Sequence, residues 1–298
     1  MQSKGSLHIY QKYEDINRIQ HQKGSKMKNT TKQMFRAEWN RMITQKELWI
    51  VIVLGCCITC WHFYQYVWKM AVIIDPYPYQ EIPNGLYRNW IGASGFSMQT
   101  NWYYLIFPLI AVLGYAGTCF DDKKNGYRNL VLLRCGKRTY FHVKAFVVFL
   151  SGGIAVSIPL LLNFVLTAMK YPALYPDSFE IITPSIKCVG SFLFYRHPLV
   201  YIILYLLFDF IIAGLFCVLT MILCEKAEYK FIALLLPFGL HYLLYCLNNF
   251  TSRNLFAPNY FLIPGMGIGN VWELVVCLLV GILLCLLIWI GEKRYEAL

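Results

Sequence analysis

The sequence predicts an all-α polytopic membrane protein with six transmembrane helices, and three observations carry that prediction. Of the 298 residues, 58% are hydrophobic and only 14% are charged, which is far from the balance of a soluble globular chain. Six apolar stretches approach the roughly 20 residues that a helix needs to cross a bilayer. Lysine and arginine are concentrated in alternate connections between these stretches, as the positive-inside rule requires.

The N-terminal part of the chain is predicted to remain outside the bilayer core. Residues 1–30 are polar and aperiodic, which is typical of a disordered cytoplasmic tail. Residues 31–47 are predicted to form an amphipathic helix, with Glu38 among its polar positions. The apolar face of this helix consists of Phe35, Trp39, Met42 and Ile43. Such a helix is expected to lie flat in the inner interface of the membrane, although a helix that only anchors the chain fits the same pattern.

Residues 48–290 are predicted to form one six-helix transmembrane domain, followed by a short cytoplasmic C-terminus at residues 291–298. The distribution of cations places both termini on the cytoplasmic side of a multi-pass protein of the cell membrane. Phe261–Gly269 is too apolar for a free loop and too broken for a span, so we expect it to dip into the outer leaflet against protein. The six spans are predicted near Leu48–Ile73, Trp102–Phe120, Phe141–Met169, Leu199–Leu223, Phe231–Asn248 and Val271–Ile290.

Several classes of function are disfavoured by what the sequence lacks. The net charge of +11 is sorted by membrane side and not gathered into one patch, so no nucleic-acid partner is predicted. The Gly136-Lys137 pair lacks the upstream glycine and the following hydroxyl of a P-loop. The eleven cysteines are dispersed, most of them in apolar stretches, and predict no metal site. No nucleophile stands at a useful spacing from a base, so the chain is not predicted to be an enzyme.

The connection Phe120–Lys144 carries the strongest local signal. It contains seven lysines and arginines but only two aspartates, and this excess of cations predicts a cytoplasmic loop. A short helix is predicted between the break at Asn125-Gly126 and a terminating Gly136. Its leucines would leave an apolar surface in the cytoplasm, and such a surface requires a partner: the bilayer interface, another loop, or a groove on another protein. Residues at helical spacing within it are Tyr127, Leu130, Val131 and Arg134.

This loop resembles the first cytoplasmic loop of type-2 ATP-binding-cassette (ABC) exporter permeases. The shared pattern is an acidic helix end, a basic turn, a leucine-rich helix and a basic entry into the next span. It departs from that family at Asp122, where glutamate is frequent, and at Cys135-Gly136, where a Pro-Ile or Pro-Val pair is frequent. The matching residues are Asp121, Asp122, Asn125, Gly126, Leu130, Leu132, Leu133, Arg134, Lys137, Arg138, Tyr140 and Lys144.

The resemblance implies the permease subunit of an ATP-driven exporter. Two copies, or one copy with a paralogue, would enclose a path, and two copies of a separate P-loop ATPase would hold ATP and Mg, so that this chain itself binds no cofactor. The aromatic-rich spans indicate an amphiphilic substrate such as a peptide, an antibiotic or a lipid-like molecule. The residues that the resemblance places at the ATPase are Asn125, Gly126, Leu130, Leu132, Leu133 and Arg134.

Asp209 stands in the middle of the predicted fourth span. A carboxylate in hydrocarbon costs about 2.5 to 3.5 kcal/mol, so Asp209 must face protein or water. One interpretation is a proton or cation site shared with His241, which predicts a secondary transporter or channel driven by an ion gradient as the alternative function. The other is an interhelical hydrogen bond. Its candidate partners are Asn163, Tyr205 and Thr220, or a second copy across a dimer interface. A membrane enzyme or an assembly factor is a third hypothesis.

Overall fold

The computed structural model describes residues 30–69, 85–93, 97–176, 188–251 and 261–264, together with positions 275, 278, 279, 281–283 and 286. Within these residues the regular secondary structure is helical, without a β-strand. The prediction of an all-α chain is therefore confirmed for the described part. The predicted N-terminal tail up to residue 29, the C-terminus and most of the predicted sixth span lie outside the described residues, as does most of the predicted re-entrant segment.

The described residues include eleven α-helices. They are α1 (residues 30–44), α2 (Lys46–His62) continued by a π-helical turn (Phe63–Trp68), α3 (Leu86–Asn89), α4 (Met98–Leu105), α5 (Phe107–Leu113), α6 (Thr118–Lys124), α7 (Tyr127–Cys135), α8 (Lys137–Lys170), α9 (Ser191–Arg196), α10 (Pro198–Lys226) and α11 (Lys230–Thr251).

Four helices of the described part are long and apolar enough to cross a membrane. They are α2 with its π-helical turn, α8, α10 and α11, and they correspond to the predicted first, third, fourth and fifth spans. The sequence predicts the second span as one continuous helix near Trp102–Phe120. Instead, two arms, Met98–Leu105 and Phe107–Lys124, meet at an angle of 47°. Counted as one span, this bent pair raises the number of candidates to five.

Helix α8 is the axis of the packing. It lies against α2 on one side and α10 on the other, and glycines at the contacts allow close approach. A Cβ atom added to Gly55 of α2 would lie 2.7 Å from the ring of Pro159, and one added to Gly214 of α10 would lie 2.3 Å from the ring of Phe149. Because apolar helices in a bilayer gain little from hydrophobicity alone, such small-residue contacts are a main source of their association.

At the end of the bundle opposite α7, residues 85–93 are inserted between the helices. Trp90 and Ile91 are fully buried. The Ile91 N–H donates to Asn163 Oδ1 at 3.0 Å, and the Ile91 carbonyl accepts from Thr100 Oγ1 at 2.8 Å. Irregular backbone is tolerated at depth only where its polar groups are paired in this way. Asn163, which the sequence offered as a partner for Asp209, is instead used here.

Candidate functional site

Helix α7 is produced by two glycines that interrupt the chain on either side of a short apolar segment. Gly126 precedes α7 with φ +72° and Gly136 follows it with φ +75°, both in the region that favours glycine. The helix lies where the sequence predicts a short helix in the loop. No α7 residue is fully buried.

The leucines of α7 divide between two environments. Leu130 is 65% exposed and Leu133 is 86% exposed, while Leu132 is partly buried against the core. Asn125 and Arg134 are also exposed, and Gly126 is half-buried. Leu132 therefore seats the helix on its own chain, whereas Leu130 and Leu133 project from the α7 end of the bundle. An apolar surface of this kind on a basic loop is free to receive a partner.

Beneath α7 lies a group of charged residues, three of them buried and Arg41 half-buried, that we call the ionic cluster: Glu38, Arg41, Asp122 and Lys144. Lys144 Nζ lies 2.8 Å from Glu38 Oε2 and 3.0 Å from Asp122 Oδ2. An Arg41 guanidinium nitrogen lies 2.6 Å from Asp122 Oδ1. Lys144, Glu38 and Asp122 are each 1% exposed or less. The two cations and two anions balance, as buried charges must.

Two tyrosines complete the ionic cluster. Tyr115 donates to Glu38 Oε2 at 2.7 Å, and the ammonium of Lys144 lies 4.6 Å from the centre of the Tyr115 ring. The Tyr140 hydroxyl lies 3.4 Å from Asp122 Oδ2. Burial lowers the pKa of Arg41, but the hydrogen bond and charge of Asp122 outweigh it and raise that pKa above its ordinary value. Arg41 therefore remains charged throughout the physiological pH range.

The ionic cluster joins α1 to the loop. Glu38 and Arg41 belong to α1, Asp122 to α6 and Lys144 to α8, so one group of contacts fixes three segments that are distant in sequence. The Arg41 guanidinium also lies 4.8 Å from the centre of the Tyr127 ring at the start of α7. Glu38, one of the predicted polar positions of α1, is fully buried, and its carboxylate accepts from a lysine 106 residues away.

The predicted apolar face of α1 is distributed over the packing surface. Met42 is buried and Phe35 and Trp39 are half-buried, with their rings stacked at 5.9 Å and Phe35 6.0 Å from Phe146 of α8. Ile43 is exposed. Helix α1 ends at residue 44. The next residue, Gln45, has an extended backbone, and α2 starts at Lys46. Hence α1 is packed onto the base of α8 and meets α2 through a single extended residue.

A second set of ion pairs braces the loop against the turn between α10 and α11. Arg128 of α7 pairs with the Glu225 carboxylate, and Lys123 donates to the Glu225 carbonyl. Lys230 at the start of α11 lies 2.6 Å from Asp121 Oδ2. These groups are partly exposed, so each pair contributes at most about 1 kcal/mol. Together they tie α6 and the start of α7 to the end of α10 and the start of α11.

The second predicted site lies deep in the bundle, where Asp209 and His241 hold opposite ends of Tyr104. The Tyr104 hydroxyl donates to Asp209 Oδ2 at 3.1 Å, and His241 Nε2 lies 3.2 Å from the Tyr104 carbonyl oxygen. Both side chains are buried. Asp209 thus has an interhelical hydrogen bond, but its partner is a tyrosine of α4 that the sequence interpretation did not name.

We expect Asp209→Asn to leave folding nearly unchanged, because an amide oxygen can still accept from Tyr104. Asp209→Leu should lower stability by about 1 to 3 kcal/mol, since it leaves a buried hydroxyl without an acceptor. The yield of folded protein and the thermal melting temperature of purified protein compare the two variants. If asparagine is as damaging as leucine, the site needs a negative charge and the ion-site interpretation gains support.

The residues that sequence reasoning missed are Glu38 and Tyr115 in the ionic cluster, and Tyr104 in the bundle. One signal was present: Lys144 stands at the start of an apolar stretch, where a lysine requires a buried anion or access to water. The proline at position 108, in an apolar stretch otherwise suited to a continuous helix, could have indicated the bend.

The described part of the chain is helical and contains several apolar helices of membrane-crossing length, which is compatible with a membrane protein. The chain belongs to the DUF2705 family of proteins of unknown function, which it matches over residues 48–295. Comparison with curated proteins and with solved structures gives no match.

Proposed function

We propose that this chain is the membrane permease subunit of an ATP-driven exporter of the type-2 ABC class, with six spans and both termini in the cytoplasm. The observation that supports this proposal best is α7, which presents Leu130 and Leu133 outward while the ionic cluster fixes its base. Leu130 and Leu133 are not covered by their own chain, so they are available to a partner outside it. A helix that receives force from a partner needs an apolar contact surface and a rigid base, and α7 has both.

The partner in this proposal is a separate P-loop ATPase, bound in two copies to two permease chains. Its cleft would cover Leu130 and Leu133, and an acid at its rim would meet Arg134. Closure of the ATPases would displace α7, and the ionic cluster would pass this displacement to α1 and α8 together. The substrate in this proposal is an amphiphilic peptide, antibiotic or lipid-like molecule that moves between the two copies.

The Asp209 contacts give less support to transport driven by an ion gradient. Asp209 and His241 are each engaged with Tyr104, through different atoms of that residue. Each of the two side chains therefore has a structural role at Tyr104 that needs no transported ion. The ATP-driven exporter is therefore the function that the described geometry favours.

Copurification tests the docking surface. From this proposal we expect a P-loop ATPase to be encoded next to the gene for this chain. Tagged protein coexpressed with that ATPase should retain it, and Leu133→Asp should reduce the retained amount about tenfold. Burial of a leucine is worth about 1.5 to 3 kcal/mol, and 1.4 kcal/mol is a factor of ten in affinity. Because Leu133 is 86% exposed, the substitution should not affect folding.

The matched control is Tyr229→Asp, which introduces the same charge at an exposed aromatic residue in the neighbouring turn between α10 and α11. It should retain the ATPase. Equal retention by the wild type and by Leu133→Asp, or no ATPase bound to the wild type at all, contradicts the proposal.

A further inference from the structure

The bend between α4 and α5 has a covalent cause. Pro108 has no backbone N–H, so the carbonyl of Tyr104, four residues earlier, loses the donor that a continuous helix would give it. Ile106, between the two helices, has φ −88° and ψ 3° and lies outside the helical region. A carbonyl released in this way inside an apolar bundle must find another donor, because water cannot supply one at low cost.

His241 of α11 supplies that donor. Its Nε2 atom lies 3.2 Å from the Tyr104 carbonyl oxygen. A carbonyl can only accept, so Nε2 carries the hydrogen. The imidazole stands edge-on to Phe216 of α10, with ring centres 6.0 Å apart and planes at 88°, which holds its orientation. The buried histidine thus donates the hydrogen bond that the proline at position 108 cannot donate.

The arm before the bend is fixed to three helices. The Tyr104 hydroxyl reaches Asp209 of α10 and its carbonyl reaches His241 of α11. The neighbouring Tyr103 donates to the Val156 carbonyl of α8 at 2.7 Å. All of these contacts are made within three residues of the break at Ile106, so the α4 arm has little freedom at this point.

The arm after the bend leads to the α7 end of the bundle. Residues 107–124 continue through α5 and α6 to Asp121 and Asp122, which pair with Lys230 and with the ionic cluster. Any displacement of α7 is therefore passed along this arm. Because the α4 arm is held, the angle at Ile106 is the place where such a displacement must be absorbed.

We infer that Tyr104, His241 and Asp209 form a latch that holds the α4–α5 pair at its present angle, and that release of the latch lets the angle at the Pro108 bend change. His241 is the central element, since it replaces the hydrogen bond that Pro108 removes. The use of this latch in transport rests on the proposed function, but its existence does not.

A double-mutant cycle tests whether His241 supplies the hydrogen bond that Pro108 removes. In the native background, His241→Phe keeps an aromatic ring of similar size but removes the donor, and we expect the melting temperature of the purified protein to fall by roughly 3 °C. In a Pro108→Ala background the backbone N–H of residue 108 is restored and can pair with the Tyr104 carbonyl. There we expect His241→Phe to lower the melting temperature by less than half as much. An equal decrease in both backgrounds overturns the latch.

A second measurement uses milder variants that preserve the fold. Tyr104→Phe breaks the bond to Asp209 and should increase deuterium exchange in peptides that cover residues 105–113. Tyr171→Phe removes a tyrosine hydrogen bond, to the Val67 carbonyl, that involves neither arm and should leave exchange in those peptides unchanged. The same exchange in both variants contradicts the latch. Neither experiment involves the ATPase. A negative copurification result therefore does not bear on the latch, and a negative result in these two experiments does not bear on ATPase docking.

Discussion

Replacement of Lys144 by methionine should destabilise the protein by about 3 to 5 kcal/mol, the usual cost of removing one partner from a buried ion pair. Methionine preserves most of the volume of the side chain but leaves Glu38 and Asp122 with a single cation, Arg41. Lys144 lies within 3.0 Å of both carboxylates, and all three side chains are buried from bulk solvent, which would otherwise screen the unpaired charge. We expect a decrease in melting temperature of about 10 °C in detergent and a marked loss of folded protein.

Two further variants show whether charge balance is the cause. Lys124→Met removes an exposed lysine from the same loop and should change the melting temperature little, because exposed charges contribute little. Glu38→Gln combined with Lys144→Met removes one charge of each sign and leaves the Arg41–Asp122 pair intact. The double variant should be clearly more stable than the sum of the two single effects predicts. Strict additivity contradicts the ionic cluster as a coupled unit.

The positions of the long helices follow directly from the sequence because they depend on local hydropathy. α8, α10 and α11 start within a few residues of the predicted third, fourth and fifth spans. α7 was also predictable, because Gly126 and Gly136 interrupt the chain by their own backbone preference. Signals of this kind are contained in a window of about 20 residues and need no knowledge of tertiary contacts.

The contacts inside the bundle were not predictable in the same way. Glu38 is a charged residue, so the amphipathic pattern of α1 counts it among the polar positions. The identity of its partner, however, depends on how α8 packs against α1. The bend at Ile106 was missed because a proline near the start of a helix is also compatible with an unbroken apolar stretch. Asp209 was recognised as a residue that needs a partner. That partner, Tyr104, is one of 22 tyrosines, and the sequence does not distinguish a bonded tyrosine from a packed one.

The close contact between α8 and α10 around Gly152, which we call the seam, gives the second prediction of a large loss of stability. Gly152→Ala should destabilise the protein by about 2 to 3 kcal/mol, in the range for overpacking of a close contact. A Cβ atom at this position would lie 2.3 Å from Cys217 Sγ and 2.9 Å from the Ala213 carbonyl oxygen. The sulfur can rotate away, but the backbone oxygen can move only if α10 itself is displaced from α8.

Gly239→Ala is the matched control for this seam. Gly239 lies within α11 and has no atom within 4 Å of an added Cβ, so alanine there should leave the melting temperature unchanged or raise it, since alanine favours a helix. Adding Cys217→Ala to Gly152→Ala should recover only part of the loss, because the Ala213 carbonyl remains in the way. Full recovery would mean that the sulfur alone limits the approach of the two helices. If Gly152→Ala and Gly239→Ala melt at the same temperature, the approach of α8 to α10 at Gly152 is not close enough to exclude a methyl group.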